Sequence, residues 1–141
     1  MKLAILALVE LLYTDSKNFP NSHTNHYNLG VQQIFAINII SKSQWVGKAP
    51  KIKTNSNNNL GYVVIHHSDG AYCCKQQMRS MQSYHMNDIG WADIGYNFGI
   101  GGDGNIYEGR GFGLVGAHAT NWNSKALGIM FIGNYNSRFH N

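Results

Sequence analysis

The sequence predicts an α/β domain in which a mixed β-sheet packs against at least one helix. Three segments carry this prediction. An apolar run at 61–67 and a second one at 126–132 are typical of strands, and residues 74–87 have helical periodicity. A chain of 141 residues fits one domain, and its 43% hydrophobic and 13% charged residues are typical of a globular protein.

The first third of the chain has weaker signals. Residues 14–38 are rich in Asn, Ser, His and Lys without apolar periodicity, so we expect a linker or a poorly ordered arm. Ile39 and Ile40 then predict a short strand. Residues 48–59 contain a proline and a run of Asn and Ser, which predicts a loop.

Residues 61–67 predict a strand whose nearly continuous apolar character favours the middle of a sheet, with both faces covered. In the predicted helix 74–87, apolar side chains recur at spacings of three and four and form one stripe. The stripe consists of Met78, Met81, His85 and Ile89. We interpret it as core packing rather than as a cofactor site.

Two further strands are predicted at 96–100 and 105–108, joined through a hairpin because Asp103-Gly104 suits such a turn. Residues 99–104 also match the spacing of a dinucleotide-binding loop. That loop needs a helix after it, and a strand-like segment follows instead. Without a helix N-terminus there is no dipole to hold a pyrophosphate, so we do not expect a nucleotide site.

The chain is mildly basic, with a net charge of +4 and an isoelectric point near 9.1. Its Lys and Arg residues are scattered, so we expect no nucleic-acid partner. The charge is consistent with attraction to an anionic polymer such as a bacterial wall.

Residues 1–13 start with one lysine followed by a short apolar stretch. This favours a signal peptide and secretion, although no clean cleavage site follows; an amphipathic or unstructured start is the alternative. The stretch is too short for a membrane span, and the sequence predicts no span elsewhere.

Four side chains are candidates for chemistry on residue type and context. His66 and His67 end the first apolar strand and must point to opposite faces, so at most one of them faces a given site as metal ligand or base. Tyr96 could polarise a carbonyl, or could be a core aromatic. His118 lies in a predicted loop, where functional residues are common.

Arg110 lies between two glycines, which leaves space for its guanidinium to meet a carboxylate. The alternative is a solvated loop residue.

Cys73 and Cys74 are neighbours, whereas ordinary disulfides need Cα atoms about 4.4–6.8 Å apart. We therefore expect two free or partly buried thiols.

Together these motifs resemble the peptidoglycan recognition proteins, animal relatives of bacteriophage-type zinc amidases, over about residues 39–136. The matching pieces are ISKSQW (40–45), VIHHS (64–68), QSYHM (82–86), GWADIGYNF (90–98), GGDG (101–104), YEGRG (107–111), GAH (116–118) and GIMFIGNY (128–135).

The resemblance implies a central mixed sheet flanked by helices and a groove for the peptidoglycan stem peptide. It implies recognition of peptidoglycan in innate immunity, with zinc-dependent N-acetylmuramoyl-L-alanine amidase activity in the complete domain; a non-catalytic receptor is the alternative. The roles it implies are zinc ligand for His66, assistance to hydrolysis for Tyr96, stem-peptide contact for His67, His118 and Asn123, and preference for diaminopimelic-acid peptidoglycan for Gly90, Trp91 and Arg110.

The sequence departs from this family in two places. The family's other zinc ligands, a His and a Cys, follow the last matching strand, and the sequence ends at Asn141 before such a segment. We therefore expect 39–141 to be a partial domain with weakly held or absent zinc. We also expect an exposed sheet face that could support self-association. The second departure is at Cys73-Cys74, where the family usually has a short loop between two bridged cysteines.

Overall fold

The computed structural model describes residues 38–56, 60–70 and 73–136. The predicted signal peptide and residues 14–37 of the predicted arm lie outside these ranges. The elements in chain order are β1 (Ile39–Ile40), β2 (Tyr62–His67), the α-helix α1 (Lys75–Ser83), a π-helical turn (Tyr84–Asp88), β3 (Phe98–Ile100), β4 (Ile106–Glu108) and β5 (Ala126–Phe131).

The five strands form one mixed sheet, as the sequence predicts, in the order β1-β4-β3-β5-β2. Only β3 and β4 are antiparallel; the pairs β1–β4, β3–β5 and β5–β2 are parallel. The turn between β3 and β4 is the predicted hairpin, with Gly104 at a φ of 83°. Glycine adopts this left-handed conformation without a steric penalty.

The predicted central position of β2 is wrong. Strand β2 lies at the edge of the sheet, and β5 is its only partner strand among the described residues. Tyr62, Val63 and Ile65 are 60%, 43% and 61% exposed. A run of apolar and β-branched residues indicates a strand, but it does not by itself distinguish a covered strand from an open one.

The predicted helix lies where the sequence places it, but it changes character after Ser83. Met78 and His85 from its stripe are buried, whereas Ile89, which follows the π-helical turn, is 41% exposed. The predicted strand 96–100 begins only at Phe98. Tyr96 precedes this strand in a loop. The Tyr96 carbonyl accepts a hydrogen bond from the Arg110 backbone N–H at 3.0 Å.

Each face of the sheet carries one hydrophobic cluster. Helix α1 contributes Met78 to the first cluster, whose buried members are Ile40, Trp45, Cys74, Met78, Ile94, Tyr107, Met130 and Ile132. The buried members of the second cluster are Phe98, Ile100, Ile106, Leu127 and Ile129. Successive residues of β5 alternate between the clusters, as pleating requires.

The structure joins Cys73 and Cys74 in a disulfide, so the expectation of two free thiols is wrong. Among the described residues, no helix is long and apolar enough to cross a bilayer.

Candidate active and binding site

Three of the predicted site residues, His66, Tyr96 and His118, come together at the carboxyl end of β2. His66 Nε2 lies 3.1 Å from His118 Nδ1. The ring centroids of His66 and Tyr96 are 5.1 Å apart, and those of Tyr96 and His118 are 6.5 Å apart. These residues come from an edge strand and two separate loops, so only the tertiary fold assembles them.

The contacts of His118 define the direction of the hydrogen bond between the two histidines. His118 Nε2 lies 3.2 Å from the carbonyl oxygen of Ala126. A carbonyl can only accept, so Nε2 carries the proton of a neutral His118 ring and Nδ1 has the free lone pair. His66 therefore donates from Nε2 to His118 Nδ1.

Asn123 and two glycines hold His118 in this position. The Asn123 Oδ1 atom accepts hydrogen bonds from the backbone N–H groups of His118 and Ala119, at 2.7 and 2.9 Å. The ring lies over Gly116 and Gly128, and a Cβ atom at Gly128 would approach His118 Nε2 to 2.8 Å. Asn123 thus organises the site through its oxygen; its predicted contact with a stem peptide stays a prediction.

His67 is the predicted residue that the cluster does not contain. It follows His66 in β2, so its side chain points to the opposite face of the sheet. Its Nδ1 atom is buried without a hydrogen-bond partner among the described residues. The structure therefore separates the two histidines as their adjacency predicts.

His85 is a site residue that the sequence reasoning missed, because its place in an apolar stripe favoured core packing. Its Nδ1 atom accepts the Gly95 backbone N–H at 3.0 Å and so anchors the residue next to Tyr96. Its ring lies 4.6 Å from that of Trp91 at 34°. Gly90 has a φ of 83° and turns the chain immediately before Trp91. The sequence did contain a signal for this role, because His85 is a polar residue in an otherwise apolar stripe.

Arg110 is half-buried and bonded, so the alternative of a solvated loop residue is wrong. Its Nε and Nη1 atoms donate to the carbonyl oxygens of Ile94 and Val115, both at 2.8 Å. Guanidinium has five N–H groups, so three remain for a ligand. Burial is the main cause that lowers the pKa of His85 and His118, and the charge of Arg110 lowers both further, so the cation lies within electrostatic reach of the site.

Burial dominates the protonation of the site. It is the main cause that lowers the pKa of His66, His85 and His118 below the ordinary value, and it raises the pKa of the Tyr96 hydroxyl. The three imidazoles and the phenol are therefore neutral at neutral pH. Arg110 remains the cation beside them.

A cleft of about 370 Å³ opens beside the cluster. It has both polar and apolar walls, and its lining residues are Ser68, Gln77, Ser80, Met81, Tyr84, His85 and Tyr96. Hydroxyl and amide groups can bond a polar ligand there, while Met81 and the aromatic rings offer apolar contact.

The zinc site implied by the resemblance does not fit the described residues, because a catalytic zinc needs three protein ligands. The group with three potential donors is Cys73, Cys74 and Asp103. Its sulfur atoms form a disulfide and cannot act as thiolates, and Asp103 accepts the Tyr107 hydroxyl at 2.6 Å. His66 has one other potential ligand near it, His118.

Comparison with known proteins gives a consistent family. Residues 56–141 match the profile of the family Amidase_2, described as N-acetylmuramoyl-L-alanine amidase. Peptidoglycan-recognition protein SC2 of Drosophila melanogaster is 57% identical over 111 residues, which cover 75% of this chain and 60% of that protein. The chain therefore spans less than two thirds of this relative.

Two solved structures are similar in fold. The bumblebee peptidoglycan recognition protein SA has a TM-score of 0.70 and 44% identity, covering 73% of this chain and 65% of its own. A tyrosine-to-phenylalanine mutant of Drosophila PGRP-LB in complex with tracheal cytotoxin has a TM-score of 0.68 and 42% identity, covering 71% and 63%. The TM-scores show that the fold of this chain agrees with both structures.

Proposed function

Because the chain belongs to the N-acetylmuramoyl-L-alanine amidase family, we propose that it binds peptidoglycan fragments in the cleft beside His66, Tyr96 and His118. One observation carries this proposal: residues from three separate segments converge next to a cleft of about 370 Å³. Convergent polar groups beside a partly apolar pocket are typical of binding sites.

The lining matches the chemistry of a stem peptide. Peptide carbonyls can accept hydrogen bonds from Ser68, Gln77 and Ser80, while Met81 and Tyr84 can contact the short side chains. Arg110 supplies the positive charge, and its three remaining N–H groups suit a carboxylate. Peptidoglycan stem peptides carry either lysine or diaminopimelic acid, and diaminopimelic acid has one carboxylate more than lysine. We therefore propose that this chain prefers peptidoglycan of the diaminopimelic-acid type.

Hydrolysis is a second candidate, favoured by the proximity of His66 and Tyr96, whose ring centroids are 5.1 Å apart. The bond concerned joins muramic acid to L-alanine. The described residues supply no third ligand for a zinc ion, so we expect these 141 residues to release no stem peptide from peptidoglycan, with or without added zinc. Stem-peptide release that requires Tyr96 would contradict this expectation and favour the enzyme.

We further propose that the protein acts outside the cell in innate immunity. The apolar start of the sequence and the names of its relatives support this proposal. Secretion of the full chain from insect cells, with removal of about the first 13 residues detected by mass spectrometry, tests it. Retention of the chain inside the cell would contradict it.

Binding is tested by calorimetric titration with tracheal cytotoxin, the ligand named with PGRP-LB, and with a lysine-type muropeptide as the matched control. We expect the diaminopimelic-type ligand to bind more tightly. Arg110→Ala should lose about 1.5–3 kcal/mol of binding free energy, the value typical of a hydrogen bond to a charged group. Equal affinity for both ligands would contradict the assigned preference.

Arg110→Lys is the control for this variant, because it keeps the charge but lacks the fork of donors. Arg110→Ala loses the hydrogen bonds to Ile94 and Val115, and Arg110→Lys loses the paired geometry of the two donors, so the thermal unfolding of both variants must be measured alongside. If Arg110→Ala remains folded and binds tracheal cytotoxin as tightly as the unaltered chain, the role of Arg110 is wrong. If the folded, unaltered chain binds neither muropeptide, the proposed function itself is wrong.

A further inference from the structure

We propose that Tyr62 and Trp122 form a subsite for the sugar of a peptidoglycan fragment whose stem peptide lies in the cleft. The proposal rests on the proposed function and adds to it the part of the ligand to which the peptide is attached. It gives a role to two exposed aromatic side chains at the amino end of β2 that the function described so far does not use.

The two rings form an exposed aromatic pair. Their centroids are 5.4 Å apart and their planes are inclined at 83°. Tyr62 is 60% exposed and Trp122 is 45% exposed, although side chains of this kind are usually found in cores and interfaces. Their combined exposure therefore indicates a surface that a ligand can cover.

Backbone hydrogen bonds hold the pair in place. The Trp122 carbonyl accepts the Lys125 N–H at 2.9 Å, and the Lys125 carbonyl accepts the Tyr62 N–H at 3.2 Å. The residue after Trp122 is Asn123, whose Oδ1 atom accepts the backbone N–H of His118. One loop thus carries Trp122 and supports His118, so the pair has a fixed position relative to the histidines of the site.

Pleating places the pair on the same face of the sheet as His66. Tyr62 and His66 are four residues apart in β2, so their side chains point to the same side. At about 3.3 Å per residue they lie roughly 13 Å apart along the strand. Ser68, which lines the cleft, lies beyond the other end of β2. The cleft, the histidines and the aromatic pair therefore follow one another along this strand.

This order matches the order of chemical groups in a peptidoglycan fragment. The stem peptide is joined to the sugar muramic acid through its L-alanine. With the stem peptide in the cleft and this junction beside His66, the sugar extends along β2 towards the amino end of the strand. Tyr62 and Trp122 are the side chains that it meets there.

The chemistry of the pair suits a sugar ring. A pyranose presents C–H groups that pack against aromatic faces through dispersion and weak C–H contacts. Its hydroxyl and N-acetyl groups need hydrogen-bond partners. The loop around Trp122 supplies exposed polar side chains, and Lys125 Nζ lies 5.8 Å from the centre of the Trp122 ring. These polar side chains are Asn121, Ser124 and Lys125.

The test compares two ligands that share one diaminopimelic-type stem peptide, the first with its N-acetylglucosamine–N-acetylmuramic acid disaccharide and the second without sugar. We expect the full chain to bind the sugar-bearing ligand more tightly in calorimetric titrations. Trp122→Ala and Tyr62→Ala should each weaken its binding roughly two- to tenfold, the range typical of one aromatic contact, and leave binding of the free stem peptide unchanged.

Two variants are controls. Tyr62→Phe keeps the ring, and Val63→Ala changes a 43% exposed side chain on the opposite face, so both should bind the two ligands as the unaltered chain does. If Trp122→Ala weakens both ligands equally, the pair acts on the fold of the site and the proposal is wrong. Equal affinity of the unaltered chain for both ligands would overturn the proposal but not the proposed function, whereas binding of neither ligand would overturn both.

NMR of the indole N–H groups gives an independent readout, because the chain has three tryptophans. The Trp122 signal should move only with the sugar-bearing ligand. The signal of Trp91, whose ring lies next to His85 of the cleft, should move with both ligands, and that of the fully buried Trp45 with neither. A Trp122 signal that ignores the sugar would overturn the proposal. So would a chitin oligosaccharide, which has N-acetylated sugars but no peptide, binding as tightly as the sugar-bearing ligand.

Discussion

The two halves of the site are held by neighbouring strands that differ sharply in packing. Strand β5 is buried along nearly its whole length, whereas β2, paired with it in parallel register, is largely exposed. Ile65 and Ile129 show the difference within one cross-strand pair, since they are 61% and 5% exposed. His118 lies over Gly128 in β5, while His66 belongs to β2.

This difference indicates that the two histidines depend on different interactions. Tyr96 and His118 belong to loops that are tied together by buried polar groups, above all Asn97. His66 depends on the hydrogen bonds between β2 and β5. Changes at Asn97 should therefore disturb Tyr96 and His118 together, whereas changes on the outer face of β2 should leave the site intact.

The largest effect is expected from Asn97→Ala. The Asn97 side chain is fully buried, donates through Nδ2 to Gly111 and Leu114 at 3.0 and 2.8 Å, and accepts the Gly128 N–H through Oδ1 at 2.9 Å. Its loss leaves three backbone groups unsatisfied. We expect the free energy of unfolding to fall by about 2–4 kcal/mol, measured by urea denaturation.

Asn105→Ala is the matched control, because that side chain makes an exposed hydrogen bond with Asn38. It should change the unfolding free energy by less than about 0.5 kcal/mol. If the two variants are equally stable, the buried network is not what separates the two regions.

Much of the sheet follows from local sequence. The apolar runs place β2 and β5, and Asp103-Gly104 places the hairpin, because positive φ and β-propensity are local properties. The meeting of His66, Tyr96 and His118 is not local. It could be expected only through the ordered motifs shared with a known family, since no spacing in the chain indicates that these residues approach one another.

The errors have the same origin. Strand order depends on non-local pairing, so the composition of β2 gave no indication that it lies at an edge. His85 is buried, as its period predicts, but the period gave no indication that its Nδ1 atom accepts the Gly95 N–H. For Arg110 the solvated alternative was wrong, because the guanidinium binds two carbonyl groups that only the folded loops bring to it.

A smaller effect is expected from Gly128→Ala, which tests how closely His118 approaches β5. The added Cβ atom would lie 2.8 Å from His118 Nε2 and would overlap the ring carbons. We expect a loss of about 1–3 kcal/mol in unfolding free energy through overpacking, and a displaced His118 ring. Thermal unfolding and the NMR contacts between the rings of His118 and His66 measure both. Gly102→Ala, where a Cβ atom meets nothing within 4 Å, is the control and should be nearly neutral.

Acidification should weaken the same region. Burial, together with the charge of Arg110, lowers the pKa of His85 below its ordinary value of 6.5. The unfolded state therefore binds more protons, so stability is complete above about pH 6.5 and falls as the pH drops below it. The melting temperature between about pH 7.5 and pH 5 measures this trend.

His85→Asn provides the control for this trend, because an amide oxygen can still accept the Gly95 N–H but does not titrate. Its melting temperature should depend less on pH over the same range. If the melting temperature of His85→Asn depends on pH as strongly as that of the unaltered chain, other groups cause the trend.

The smallest effect on stability is expected from Ile65→Lys on the outer face of β2. Ile65 is 61% exposed, so the substitution should change the unfolding free energy by less than about 0.5 kcal/mol and leave muropeptide binding unchanged.

The same apolar edge should promote self-association, which a lysine on an edge strand opposes. Sedimentation velocity should show concentration-dependent association of the unaltered chain and its reduction in Ile65→Lys. Ile52→Lys, at a 70% exposed position outside the sheet, should associate as the unaltered chain does. If Ile65→Lys instead destabilises the fold as strongly as Asn97→Ala, then β2 is packed as firmly as β5 and the contrast between the two strands is wrong.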